Sequence, residues 1–461
     1  MGGADVSCDP EEVLKNPFVD YAVLGEGEIR FPLLLEQIEK GRTQKLEKID
    51  GIGYREDGEI RINPLKNFIQ YLDSLSHPAR ELLNLDRYRI KKKRFTVIIT
   101  SRGCPHGCAY CSTHLVMGAS FRTRSPEAIL QEMIECRKRY GIQIFDIEDD
   151  NFTFDKDRAK GLMNLIIETF GEQILPSLDR LELSAMNGVS FASLDGELLR
   201  LMRKAGFKTI NLSFVSTDIS TKERMGRPEG MIGFDKILEE AERVGLNVIA
   251  YAILGMPGQT IEEMIDTLIY LIGKRVLIGP SVYYPTPGTL LFQRCKEDGI
   301  LPSFSSQWRS SALPIETEDF GRLDIVTLLR LARIINFIKG KMDEGEFIEG
   351  MTLGELYQVL KDKVEDKVEN KTKFEVKAYA PSAMPALRKA SGGGRYSLCD
   401  KDDAFSWIDM LLLLFKERSL FSLRKDSGGR TIITKERSSK KVLDYFFEKA
   451  WKKPILKSQH D

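Results

Sequence analysis

The sequence predicts an α/β fold of six consecutive βα units, closed into a parallel barrel or partial barrel, with an open doubly wound sheet as the alternative. Three observations support this. From about residue 94, short runs rich in Ile, Val, Phe and Leu alternate with amphipathic stretches. The runs are apolar on both faces, as strands covered by helices should be. Helix starts are legible between them: Ser125-Pro126-Glu127 puts Pro in a first turn, and Asp195 offers an acidic cap.

In order, the predicted strands are Phe95–Thr100, Ile142–Ile147, Leu181–Ala185, Thr209–Phe214, Leu246–Leu254 and Val276–Tyr283. Helices are expected near 126–140, 155–170, 193–205, 234–245 and 259–273. Ligands of such a fold sit at the carboxyl ends of the strands, so the chemistry is expected there. Three domains are expected. Residues 1–90 hold two short αβ-like pieces and a connector through Leu72–Ala79, residues 91–305 hold the βα units, and residues 306–461 abandon that rhythm. In the last stretch, Asp324–Lys341 reads as a helix, Tyr357–Lys373 as a charged helix or linker, and Ser391-Gly392-Gly393-Gly394 as a loop. The tail reads helix (404–418), hairpin about Asp426-Ser427-Gly428-Gly429, and helix (437–452). Winged-helix modules share that order with many small caps.

Composition narrows the partners. Acids and bases balance at 68 each in 461 residues, so no global field attracts nucleic acid or an anionic membrane. The short run Lys91-Lys92-Lys93-Arg94 reads as a solvated strand entry. Apolar runs such as Met410–Phe415 are far short of the ~20 residues of a membrane span. No basic-then-apolar leader follows Met1, and seven cysteines without export features suit a reducing, cytoplasmic setting.

The segment Thr100-Ser101-Arg102-Gly103-Cys104-Pro105-His106-Gly107-Cys108-Ala109-Tyr110-Cys111 directly follows the first strand. Its spacing lets one loop wrap three thiolates, the soft ligands iron–sulfur clusters prefer, with Pro105 and Gly107 supplying bends. Cys8, Cys136, Cys295 and Cys399 stand alone in the sequence. Three thiolates leave one iron of a 4Fe-4S cluster open, whereas ferredoxins and structural zinc sites close all four positions. A zinc site completed by His106 or His114 is the alternative.

This motif, with an aromatic residue before its third cysteine, resembles the signature of the radical S-adenosylmethionine (SAM) superfamily. The resemblance covers about residues 1–300. It implies a partial (βα)6 barrel with a remnant N-terminal Rossmann-like segment and an α+β C-terminal region. It also implies a 4Fe-4S cluster on Cys104, Cys108 and Cys111, with SAM on the open iron. Reductive cleavage of SAM then yields a 5′-deoxyadenosyl radical.

Further residues follow the family's order. Asp149 and Asp150, in Glu148-Asp149-Asp150-Asn151-Phe152, stand where relatives meet the SAM amino group. A helix cap is the other reading. Ser213 or Ser216 is expected to replace a ribose-contacting acid, whose place Val215 takes. Arg227 matches an arginine directed at the SAM carboxylate, a surface salt bridge being its alternative. Gly255, in Leu254-Gly255-Met256-Pro257-Gly258, matches the strand end packed against adenine, and Tyr110 flanks the cluster. Tyr284-Pro285-Thr286-Pro287-Gly288-Thr289 resembles a segment of the cobalamin-associated branch.

The front end, Asp20-Tyr21-Ala22-Val23-Leu24-Gly25-Glu26-Gly27-Glu28 with Gly51-Ile52-Gly53-Tyr54-Arg55, is similar to that branch's connector. Met1-Gly2-Gly3 resembles the late diglycine of the cobalamin-binding domain. Most strands of that domain are missing and no Asp-x-His-x-x-Gly motif is present, so cobalamin binding, implied by the family, is not expected of this chain. The chain is expected either to begin inside its natural gene or to come from a lineage that lost cobalamin.

The resemblance implies an enzyme acting on a small-molecule or peptide substrate, fed electrons by a donor such as flavodoxin or ferredoxin. Methyl transfer is the leading outcome. Rearrangement, cyclisation or oxidation without cobalamin is the second, and a non-catalytic metal-stabilised adaptor the third.

Overall fold

The computed structural model of the protein describes residues 1–41, 43–90, 92–173, 180–227, 229–371, 406–425 and 431–456. Cys399 and the loops at 391–394 and 426–429 lie outside them. The chain forms two compact units, residues 1–267 with 275–325 and residues 268–274 with 326–461.

In the first unit six strands follow one another: β1 (Lys93–Ile98), β2 (Ile142–Ile147), β3 (Glu182–Ser184), β4 (Thr209–Val215), β5 (Asn247–Leu254) and β6 (Leu277–Val282). β1, β2 and β3 pair in parallel, as do β4, β5 and β6. Isolated parallel bridges, Leu183 with Phe207 and Val189 with Leu212, connect the two groups. Between the strands run α1 (Pro126–Tyr140), α2 (Lys156–Phe170), α3 (Gly196–Ala205), α4 (Met231–Arg243) and α5 (Ile261–Ile272). This is the α/β alternation the sequence predicts.

Local chemistry starts the helices, at Ser125 and Asp195 where the sequence marks them and at Asp155 besides. Ser125 Oγ accepts the Ala128 amide at 3.2 Å, Asp155 that of Arg158 at 3.0 Å, and Asp195 that of Leu198 at 2.9 Å. Each satisfies a donor that the first turn leaves orphaned. β1 ends two residues before its predicted limit. The Thr100 amide donates to Asp149 Oδ1 at 2.6 Å, so it leaves the strand ladder.

Burial along β5 alternates. Val248, Ala250, Ala252 and Leu254 are buried, whereas Ile249, Tyr251 and Ile253 are only half-buried. One face is therefore buried and the other more open. Register carries that more open face across the sheets: Val97 stands beside Asp146 and Asp146 beside Ser184, while Ser213 stands beside Tyr251 and Tyr251 beside Gly279.

Ahead of β1, Tyr21–Val23, Ile52–Glu56 and Glu59–Ile62 form a small antiparallel sheet. Leu72–Ser74 makes a short turn in the connector, where the Asp73 carboxylate accepts the Ser125 amide at 3.0 Å. The strand entry at 92–94 is held by ion pairs, Lys93 to Glu182 at 2.9 Å and Arg94 to Asp86 at 2.8 Å.

The second unit takes in most of α6 (Arg322–Asp343), then α7 (Leu353–Lys371), α8 (Ser406–Glu417), an antiparallel hairpin of Phe421–Lys425 with Thr431–Lys435, and α9 (Lys440–Ala450). Phe415, Phe447, Trp451 and Tyr357 meet edge to face or tilted in its core. The ammonium of buried Lys339 donates to the Leu271 and Lys274 carbonyls at 2.7 and 2.9 Å, a cation at the end of α5 that offsets its exposed carbonyl dipoles.

Candidate functional site

The cysteine loop leaves the carboxyl end of β1 and must turn sharply. Gly103 does this with φ +79°, and a Cβ there would lie 2.3 Å from the Ser120 carbonyl oxygen. Only glycine fits. The Cys104 amide donates to Gly118 O at 3.4 Å, and the Cys111 amide to Cys108 O at 3.1 Å, which folds the loop back on itself.

Two neighbouring segments hold it. Asp150, just past β2, accepts the Gly103 amide through Oδ2 at 3.0 Å and the Thr113 hydroxyl through Oδ1 at 3.0 Å. On the other side the Ala109 amide donates to Met225 O at 3.3 Å. Gly226, with φ +70°, lies so close that a Cβ would sit 3.0 Å from Gly107 O. That turn delivers Arg227, 8% exposed, whose Nη1 donates to Cys108 Sγ at 3.7 Å.

Burial pushes the Cys104 thiol above its ordinary value and pushes the Tyr110 phenol up more strongly, with Cys108 adding to the latter. Tyr110, Cys108 and Arg227 thus share one desolvated corner. His106 packs edge-on to Phe154, 5.9 Å between centroids, and burial beside Arg227 lowers its pKa. His114 is exposed on the short helix Thr113–Val116.

The other residues singled out in the sequence fall in distinct places. Asp149 is 2% exposed and turned inwards: Thr100 N and Thr100 Oγ1 donate to it, as does Ser101 Oγ at 2.6 Å. Its oxygens are occupied by the strand end rather than presented to a ligand. Ser213 is half-buried beside Tyr251 of β5, at an irregularity in the β4–β5 pairing. Ser216 is fully buried and donates to Glu263 at 3.0 Å. Gly255 has φ +78°, but its open side meets Ile325 and Phe320 at 3.3 and 3.6 Å, so it packs into protein. The structure therefore gathers Cys104, Cys108, Cys111, Tyr110, Asp150 and Arg227 around one loop. Asp149 stands behind it, and Ser213 and Gly255 stand on other strand ends.

Three features escaped the sequence reading. Cys8, separate in sequence, lies against Ser112 and within electrostatic reach of Cys111. Glu26 is buried at 2% exposure and binds Arg102 at 2.8 Å, Arg122 at 2.9 Å and the Ile69 amide at 2.7 Å. Arg102 stands two residues before Cys104, so Glu26 anchors the loop's entry. Glu148, at the end of β2, is pushed up to about 7 by burial and by its neighbour Asp146. Asp146 is fully buried; its Oδ1 accepts Ser184 Oγ at 2.7 Å and the Met186 amide at 3.1 Å. No local pattern marks any of these, since each depends on a partner distant in sequence or on burial.

The donor set suits an iron–sulfur cube. Three thiols on one loop can each take a different iron, surrounding a cluster rather than meeting at a point. Among the described residues, no three His, Cys, Asp or Glu side chains converge closely enough to hold a single ion. Arg227 Nη2 is buried with no hydrogen-bond partner, an unspent donor at the loop's edge.

A parallel α/β fold here carries a three-thiol loop directly after its first strand. Residues 98–271 match the Radical SAM superfamily. Among its relatives is an uncharacterized methyltransferase, PH0819, of Pyrococcus horikoshii, 29% identical over 74% of this chain and 72% of that protein. Another is the cytidylyl-2-hydroxyethylphosphonate methyltransferase of Streptomyces wedmorensis, 27% identical over 67% and 63%. In fold the chain is similar to the radical SAM methyltransferase TsrM of Kitasatospora setae, solved with cobalamin and a [4Fe-4S] cluster. That match has a TM-score of 0.55 and 20% identity over 64% of this chain and 59% of TsrM. The chain thus spans less than two thirds of the Streptomyces enzyme and of TsrM. Among the described residues no helix is long and apolar enough to cross a membrane.

Proposed function

We propose that this chain binds a 4Fe-4S cluster through Cys104, Cys108 and Cys111, cleaves SAM reductively, and directs the resulting radical to methyl transfer. The observation that carries the reading is the three-thiol loop at the end of β1, pinned by Asp150 and faced by a buried arginine with a spare donor. When bound, the cluster supplies the electron that splits SAM into methionine and a 5′-deoxyadenosyl radical. The protein's share is positional. Gly103 and Asp150 fix the loop, Tyr110 and the Gly226 turn keep water from Cys108, and Arg227 offers donors to a carboxylate. Ser213, beside Tyr251, is assigned to the ribose side.

In this reading β1–β6 form a partial (βα)6 barrel spanning residues 91–305. Residues 1–90 are its connector, and residues 306–461 are an appended region of separate role. The relatives' names favour a methylated product. A small molecule or peptide would occupy the more open face, and a flavodoxin or ferredoxin in the cytoplasm would supply electrons.

Anaerobic reconstitution with iron and sulfide, then incubation with SAM and dithionite, tests the reading. Formation of 5′-deoxyadenosine is expected. Product mass spectrometry with and without methylcobalamin then separates outcomes: a gain of one methylene with S-adenosylhomocysteine supports methyl transfer. Four-coordinate zinc with no iron–sulfur absorbance would overturn the proposal.

A further inference from the structure

Arg227 reaches the cysteine loop from a different part of the fold and keeps two buried donors unspent there. It follows the helix Ile219–Arg224, and its amide donates to Lys222 O at 2.8 Å, which fixes the turn. The guanidinium is 8% exposed and Nη1 meets Cys108 Sγ at 3.7 Å. Nε and Nη2 are buried without a hydrogen-bond partner. Glu229 Oε1 lies 3.3 Å from Nε, an ion pair by distance whose alignment makes no hydrogen bond. Lys222, buried nearby, adds positive charge, and Tyr110 faces the same sulfur.

Reducing a cluster adds negative charge to its irons and thiolates. A guanidinium stays charged at every accessible pH, and an N–H aimed at a ligand sulfur stabilises the electron-rich form. Low dielectric around a buried cation strengthens that effect.

We propose that Arg227 is a positioning residue that sets the reduction potential of the cluster through its N–H···S contact with Cys108, holding that potential above the value three thiolates alone would give. This rests on the assignment of the cluster to Cys104, Cys108 and Cys111. Arginine, rather than lysine, suits the role because its planar fork gives one donor to sulfur and leaves others for a ligand on the open side.

The test compares wild type, Arg227→Met, Arg227→Gln and Arg227→Lys after anaerobic reconstitution. Iron and sulfide per chain report loading, and redox titration followed by electron paramagnetic resonance reports the midpoint. Arg227→Met and Arg227→Gln are expected to bind the same iron with a lower midpoint. The reduced-to-oxidised ratio at fixed poise should fall roughly tenfold, about 59 mV for one electron. Arg227→Lys should fall between them and wild type. Equal midpoints in wild type and in whichever neutral variant loads the cluster would overturn the proposal. A wild-type protein with no reducible cluster signal would instead sink the cluster assignment on which it rests.

Discussion

Asp150 ties the end of β2 to the cysteine loop by accepting the amide of Gly103, the residue immediately before Cys104, at 3.0 Å. Its other oxygen takes the Thr113 hydroxyl, two residues beyond Cys111, so one carboxylate brackets all three cysteines. Asp150→Ala removes both contacts. Charge-assisted bonds contribute about 1.5–3 kcal/mol each when sheltered, and less on an exposed residue such as this. The expected result is a small fall in thermal stability with a clear loss of iron per chain after reconstitution. Unchanged iron content would show that the loop keeps its shape unaided.

Among the described residues, Cys8 is a further thiol that the fold brings near the loop. Alanine at Cys104, Cys108 or Cys111 is expected to abolish both iron–sulfur absorbance and 5′-deoxyadenosine formation. Cys8→Ser should retain both. Loss of the cluster in Cys8→Ser would mean that four side chains close it, which a SAM-cleaving centre does not tolerate.

Glu148 gives stability a pH dependence of definite sign. Its pKa rises from 4.5 to about 7 on folding, so the folded state holds a proton that the unfolded chain has released. The stabilisation is therefore complete below the unfolded value and disappears as pH rises through the folded one. Glu148→Gln stays neutral throughout. Its melting temperature relative to wild type should show no gain near about pH 5 and a growing one up to about pH 8. A constant difference across that range would contradict the assignment.

Val215 is strained. It closes β4 with φ 70° while 1% exposed, a conformation that β-branched side chains rarely adopt. Such strain costs of order 1–3 kcal/mol. Val215→Gly should accordingly destabilise less than Val248→Gly, at a buried position inside β5, by about that amount in chemical denaturation. Equal losses would remove the argument for strain.

What the sequence showed clearly was periodic or contiguous. The βα alternation and the helix starts at Ser125 and Asp195 arise from neighbours within a few residues, and so does the cysteine spacing. What stayed hidden needed the third dimension. Asp149 and Asp150 are adjacent and chemically identical, yet one is enclosed by Thr100 and Ser101 while the other faces Gly103 and Thr113. Nothing in the order of letters separates them. Gly255 looked like an approach point for a ligand because it matches the family's strand end, but Ile325 and Phe320, some seventy residues on, lie beside it. The position of Val215 was readable as a departure from the family's acid, while its strain was not.

Glu26 lies outside the stretch that matches the superfamily, yet it neutralises Arg102 and Arg122 inside that stretch. Trimming the protein to its matched segment would remove the carboxylate that pairs with two guanidinium groups, one of them two residues from the first thiol. The front of the chain thus supplies a counter-ion to the cysteine loop, and a fragment meant to keep that loop's shape has to carry it along.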